Sequence, residues 1–169
     1  GIWHEGDTFP TLEQVLNGEP PSTSEGARFI AEPGTEHAYS NHGYLILQKV
    51  IEDHYGASYT DVVEQEIFGP LQMRNSCIEY PLPADVREVF ISGHDVDGTP
   101  SLDDGLHPYA LAQGGWMASP RDVAVFGIEL MRAWNGESDT LLGQGAAKSM
   151  MSTEVELDND FEGGIRQQG

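Results

Sequence analysis

The sequence is poor in positive charge. Lys49 and Lys148 are its only lysines, and 8 basic residues face 28 acidic ones, for a formal net charge of −20. So few cations cannot form the basic patch that displaces counterions from a phosphate backbone, which argues against nucleic-acid binding. Anionic membrane surfaces are disfavoured for the same reason. No apolar stretch approaches the roughly 20 residues that a membrane span needs, and no charged-then-apolar leader opens the chain. Cys77 is the only cysteine, so no intrachain disulfide forms and the redox compartment cannot be read. Between Ser76 and Ile78 it reads as a small buried hydrophobe, with no nearby base to suggest a nucleophile.

Metal-ligand patterns are also missing. His37, His42, His54 and His107 form no His-x-x-x-His or His-Glu-x-x-His pair. His94, Asp95, Asp97, Asp103 and Asp104 are clustered, but their spacing lacks the sixth-position glycine of a calcium loop. A solvated acidic loop is the expected state, and neither metal nor cofactor is expected. The acidity itself has two readings. One is solubility through self-repulsion; the other is a high-salt habitat, where screening shortens that repulsion to a few ångströms.

What is present is about one domain of 169 residues, with 38% hydrophobic residues, 20 glycines and 10 prolines, hence many loops. Five helices are predicted. The first, over 11–17, opens on a Thr11-x-x-Gln14 capping box and stops at Gly18. The second is capped by Ser40 or Asn41, carries Tyr44, Leu47, Ile51 and Tyr55 as its apolar face, and ends at Gly56. The third starts at Ser58-x-x-Asp61, puts Tyr59, Val62, Val63 and Ile67 on one face, and ends near Gly69-Pro70. Ser119-Pro120-Arg121-Asp122 starts the fourth, with Val123, Phe126, Gly127, Leu130, Met131 and Trp134 toward the core. The last covers about 144–151. Short extended pieces are expected at 28–31 and at Val89-Phe90-Ile91, and a turn at Asp97-Gly98. Residues 154–169 form an acidic, Gly-rich tail, poorly ordered or the start of a truncated sheet region. The fold expected is mostly α, of the α+β kind, with few strands.

The most informative segment is Pro33-Gly34-Thr35-Glu36-His37-Ala38-Tyr39-Ser40-Asn41-His42-Gly43. A turn followed by Tyr-x-Asn and an apolar helix can hold a phenol and a carboxamide at the helix mouth. The plainer alternative is a buried aromatic beside a helix cap. Ser40, between them, reads as the cap. Trp116, in Gly114-Gly115-Trp116 just before a helix, is a candidate for lining a substrate pocket, whereas Trp134 reads as core.

Three blocks together resemble the serine β-lactamase-like hydrolases, which include class C β-lactamases, DD-peptidases and esterase relatives. They are the Pro33-to-Tyr44 block, Ile67-Phe68-Gly69-Pro70-Leu71-Gln72-Met73, and Gly114-Gly115-Trp116-Met117-Ala118-Ser119-Pro120-Arg121-Asp122-Val123-Ala124. The segment from Pro10 to Pro21 and that from Ser92 to Gly98 resemble one branch, the β-lactamase-related serine hydrolases. Gln72 stands where the family usually has glycine in a Pro-Leu-Gly-Met turn. The resemblance implies the helical-domain portion of a β-lactamase/transpeptidase-like fold. It implies a covalent mechanism, in which a Ser-x-x-Lys serine is acylated, a Tyr-x-Asn motif relays the proton and positions the substrate, and a third motif lines the far side. Tyr39 would be the relay and Asn41 the positioning amide. The substrate would be a small ester, amide or β-lactam.

The other two motifs are not in the sequence. No serine is followed by lysine three positions on, no Lys-Thr-Gly occurs, and the only His-x-Gly, His4-Glu5-Gly6, is far upstream of the family's position. The expectation is therefore a central piece of a larger hydrolase, with residues 1–153 as its helical-domain segment. Its nucleophile would lie outside the chain, and alone it would be inactive. A partner chain carrying the missing segments in trans is a second arrangement. A stand-alone acidic helical module for folding or assembly is the non-enzymatic rival.

Overall fold

The computed structural model describes residues 8–35, 37–100 and 107–153; the expected tail at 154–169 and the His4-Glu5-Gly6 triplet lie outside them. Helices dominate. They are α1 (Leu12–Asn17), α2 (Asn41–Tyr55), α3 (Tyr59–Val63), a π-helical turn (Glu64–Phe68), α4 (Gly69–Leu71), α5 (Ala84–Val89), α6 (Pro120–Asn135) and α7 (Gln144–Met150). A two-stranded antiparallel pair, β1 (Ser76–Cys77) and β2 (Met117–Ala118), sets Ser76 opposite Ala118 and Cys77 opposite Met117.

The helix starts follow from local chemistry. Thr11 and Gln14 form the reciprocal capping box, with Oγ1 accepting from the Gln14 N–H at 3.2 Å and Oε1 from the Thr11 N–H at 2.9 Å. Ser58 and Ser119 cap α3 and α6 by accepting the N–H three residues on, at 3.1 and 3.2 Å. For α2 the cap is Ser40, and Asn41 is the first helical residue. Gly18, Gly56 and Gly136 close α1, α2 and α6 in the left-handed conformation.

Pro70 does not end the third helix. The N–H of Gly69 donates to Glu64 O, five residues back, and this widened turn carries the chain past the proline to Leu71. Gln72 then ends the helix in the left-handed region, at φ 53°, with its N–H on Gly69 O. The glycine-like turn is thus kept by a residue that pays a steric penalty for it. Gln72→Gly is expected to stabilise the protein by about 0.5–1 kcal/mol. Chemical denaturation checks this, and a glycine variant less stable than its parent would contradict the assignment.

Two small cores hold the helices together. Val63, Phe68, Met73, Ile78 and Leu111 form one; Val15, Leu45 and Ala110 form the other. Against the apolar faces read from periodicity, the inward positions of the long helices are partly polar. Gln48 is buried on α2, and Asp122 and Glu129 are buried on α6 with Ala133. Tyr44, Leu47 and Tyr55 of α2, and Val123, Met131 and Trp134 of α6, are exposed. These members of the stripes are exposed, whereas Phe126 of α6 packs against the first core; Trp134 is not a core residue here. Each inward polar group has a dedicated partner. Asp122 Oδ2 accepts from the Asn75 N–H (2.8 Å) and the Ser76 hydroxyl (3.0 Å), and Glu129 Oε1 accepts from the Ser138 hydroxyl (2.5 Å).

Between the cores, Val89 ends helix α5 rather than starting a strand, with Phe90 extended after it. No strand forms at 28–31. The expected turn at Asp97-Gly98 is present, Gly98 having φ 84°. Cys77 is half-buried in β1, and desolvation pushes its thiol up, away from a thiolate.

Candidate functional site

Ser40 sets the site. Its extended backbone (φ −139°, ψ 112°) and its Oγ, which accepts the Gly43 N–H at 3.0 Å, fix where α2 begins. Tyr39 therefore stands just ahead of the helix and Asn41 on its first position. Tyr39 is 67% exposed, with its ring against Tyr44 at a centroid distance of 6.2 Å. The plain alternative of a buried aromatic does not hold for these residues. No hydrogen bond to another described residue engages the Tyr39 hydroxyl or the Asn41 carboxamide.

Beside Tyr39 lies an open cavity of about 370 Å³. Tyr39 and Tyr44 form one side, Tyr59, Val63 and Ile67 belong to the lining from α3 and the π turn, and residues 111–116 supply another wall. Trp116 is held there by Phe68 (5.8 Å, tilted 34°) and by Phe126 (5.4 Å, edge-on at 83°). Tyr39 and Trp116, far apart in sequence, thus line one cavity, whereas Asn41 lies outside its lining. Burial pushes the Tyr59 phenol above its ordinary value, so it stays protonated at neutral pH.

The wall at 111–116 is positioned by a residue that sequence patterns did not single out. Gln48 on α2 is buried, and its Oε1 accepts the Ala112 N–H at 3.1 Å. Its Nε2 donates to Glu52 Oε1 at 3.2 Å, which also accepts the Tyr59 N–H at 3.3 Å. One polar relay thus ties the helix that follows Tyr39 to two other parts of the cavity lining. The available signal was a glutamine in register with Leu45 and Glu52, facing inward. Gly115 has a separate role. A Cβ there would come within 2.8 Å of Leu111 Cα and 2.9 Å of its carbonyl oxygen, so only glycine lets the wall fold back on itself.

None of the lining residues is a cation or a carboxylate. Lys49 is engaged elsewhere, 2.5 Å from Asp53 and 3.5 Å from Glu13. Among the described residues no group of three or more His, Cys, Asp or Glu side chains could hold a metal. In the acidic loop, Asp97 Oδ1 accepts the Thr99 N–H at 2.9 Å, which holds its carboxyl below the usual range; Asp103 and Asp104 lie outside the described residues. No described helix is long and apolar enough to cross a membrane.

Three solved structures of similar architecture belong to longer chains. The octameric penicillin-binding protein homologue from Pyrococcus abyssi matches with a TM-score of 0.60 and 24% identity, over 80% of this chain and 29% of its own. D-amino acid amidase from Ochrobactrum anthropi SV3 gives 0.63 and 24%, over 85% of this chain and 39% of its own. The β-lactamase/D-alanine carboxypeptidase from Pseudomonas syringae gives 0.58 and 18%, over 73% and 33%. At these identities the likeness speaks for the fold. None of the curated proteins compared with the chain matches it. The beta-lactamase family model, however, matches residues 4–168, nearly the whole sequence. With mostly helical architecture, order of blocks and family model in agreement, the chain belongs to the beta-lactamase family.

Proposed function

We propose that the chain is the helical-domain segment of a serine hydrolase that cleaves ester, amide or β-lactam bonds through an acyl-serine. The observation that carries this reading is the free presentation of Tyr39 and Asn41 at the start of α2, with Ser40 spent on the cap. In the reaction, a serine hydroxyl from outside this chain attacks the substrate carbonyl as Tyr39 accepts its proton. The carbonyl–heteroatom bond then breaks, and the leaving group departs with that proton. Water attacks the acyl-serine, returning the serine hydroxyl and releasing the acid. Asn41 would donate from its carboxamide to hold the substrate. A free phenol titrates near 10, so relay near neutral pH needs neighbouring cations. The cavity lining offers none. They would come with the nucleophile.

Two further features support a segment that is completed elsewhere. The chain spans 29%, 39% and 33% of the lengths of the three solved structures above. Its own core is thin: among the described residues no large side chain is fully buried, while Phe29, Leu47, Val50 and Met131 are among many large apolar residues left exposed. Apolar side chains left exposed along α2 and α6 are what a missing packing partner would leave behind. Those partners would be the flanking segments, joined to this chain or supplied in trans.

A fluorophosphonate probe tests the reading. It is expected to label the full-length protein on a serine outside this chain and to leave the 169-residue chain unlabelled. A full-length protein that takes no label would instead favour a non-catalytic helical module.

A further inference from the structure

The N–H groups of the wall at 112–115 are satisfied in two different ways. That of Gln113 goes to Ala110 O, and those of Gly114 and Gly115 both go to Leu111 O, all within one short stretch. The Ala112 N–H is the exception. It lies in the single 3-10 turn Leu111–Gln113, where an early donor has no carbonyl behind it, and no side-chain cap serves that turn. Gln48 brings the acceptor from α2, 64 residues earlier, at 3.1 Å. The Tyr59 N–H, at the start of α3, is the same kind of donor. Glu52 Oε1 accepts it at 3.3 Å and accepts from Gln48 Nε2 at 3.2 Å.

These bonds are internal to the chain: Gln48 is only 2% exposed, and both its partners are residues described above. What they fix is a separation. Ser40 Oγ, on the Gly43 N–H at 3.0 Å, ties Tyr39 to the first turn of α2, and Gln48 ties the wall to the same helix about two turns on. The apolar cluster alongside, Leu45 with Ala110, is non-directional and lets its members slide, whereas a hydrogen bond sets register. Helix α2 thus acts as a spacer between Tyr39 and the Gln113-to-Trp116 wall of the same cavity.

We propose that Gln48 is a positioning residue for the reaction, setting where the wall at 112–116 stands relative to Tyr39 through Ala112 on one side and Glu52 on the other. The role rests on the hydrolase reading of Tyr39. Gln48 acts through the backbone it holds and does not touch the reacting atoms. The test exchanges the two side chains in the full-length protein. Gln48→Glu removes the donor between positions 48 and 52 and sets two carboxylates against each other. It is expected to lower kcat for nitrophenyl esters by about 10- to 100-fold, the usual cost of a small misplacement, with KM within about 3-fold of the parent. Adding Glu52→Gln restores a donor, now from position 52, and keeps an acceptor for each of the Ala112 and Tyr59 N–H groups. The double variant should return to within about 3-fold of the parent kcat. Gln48→Met, which keeps the volume and loses both hydrogen bonds, should show the same fall and serves if Gln48→Glu does not fold. A purely structural residue would lower the melting temperature of the single variants and leave kcat of the folded enzyme unchanged; that result would overturn the proposal. So would a double variant no faster than Gln48→Glu. Hydrogen exchange reads the tie without any chemistry: the Ala112 amide should exchange about 10-fold faster in Gln48→Met, and unchanged exchange would reject the tie itself. A parent that hydrolyses nothing would remove the hydrolase reading and this role with it. A hydrolysing parent whose variants keep kcat would reject the positioning role alone.

Discussion

Tyr39→Phe in the full-length protein is expected to lower kcat for nitrophenyl esters by about 10²- to 10⁴-fold, the usual contribution of a positioned proton acceptor. KM should move by no more than about 3-fold, because the ring that meets the substrate is kept. The structure makes this a clean substitution. The phenylalanine ring can occupy the same place against Tyr44, 6.2 Å away. The hydroxyl that is removed has no hydrogen-bonded partner among the described residues, and the side chain is 67% exposed. Folding stability should therefore be nearly untouched, and any loss belongs to the chemical step. Steady-state kinetics alongside a thermal melt read both quantities. An enzyme that loses less than about 3-fold in kcat would remove Tyr39 from the proton path and leave it as a wall of the cavity.

Helix boundaries were legible in the sequence wherever the deciding interaction was short-range. Thr11 with Gln14, Ser58 with Asp61 and Ser119 with Asp122 each settle a helix start across three residues, so spacing alone suffices. The left-handed glycines at 18, 56 and 136 are legible for the same reason. Facing direction was not. Periodicity shows that α2 and α6 each carry an apolar stripe, but it cannot say what the stripe packs against. Here much of each stripe is exposed, and Gln48, Asp122 and Glu129 share the inward faces with Leu45, Phe126 and Ala133, their partners chosen by tertiary structure.

The candidate site divides in the same way. Tyr39 and Trp116 stand out because each sits in a short motif next to a capped helix. Gln48 does not, since its partner Ala112 is 64 residues away. The π turn at Glu64–Phe68 was also invisible, because the rule that proline stops a helix assumes that every turn has the α spacing. The β1–β2 pair consists of two residues on each side, too short for any alternation to be seen.

The loss of the Asp122 carboxylate should be the most damaging single change to the fold. Asp122→Ala is expected to destabilise the protein by about 2–4 kcal/mol, by removing the shared acceptor of two part-buried hydrogen bonds at once. Asp122 is only 3% exposed, and its carboxylate is the acceptor of both the Asn75 N–H and the Ser76 hydroxyl. Asp122 also sits in the first turn of α6, where negative charge is favoured by the helix dipole. Its two acceptor contacts tie α6 to Asn75 and to Ser76 at the start of β1, across 47 and 46 residues of sequence. The Ser119 N–H to Asn75 O bond, 3.0 Å, is a second tie and should keep the strands paired, though more loosely. Because β2 begins at Met117, directly after Trp116, that loosening should reach the cavity wall as well. Asp122→Asn, which keeps an acceptor oxygen and the volume, should cost about half as much. Urea unfolding with an unchanged m-value measures the difference. If the alanine variant falls within about 0.5 kcal/mol of the parent, the carboxylate is not what joins α6 to the strand pair.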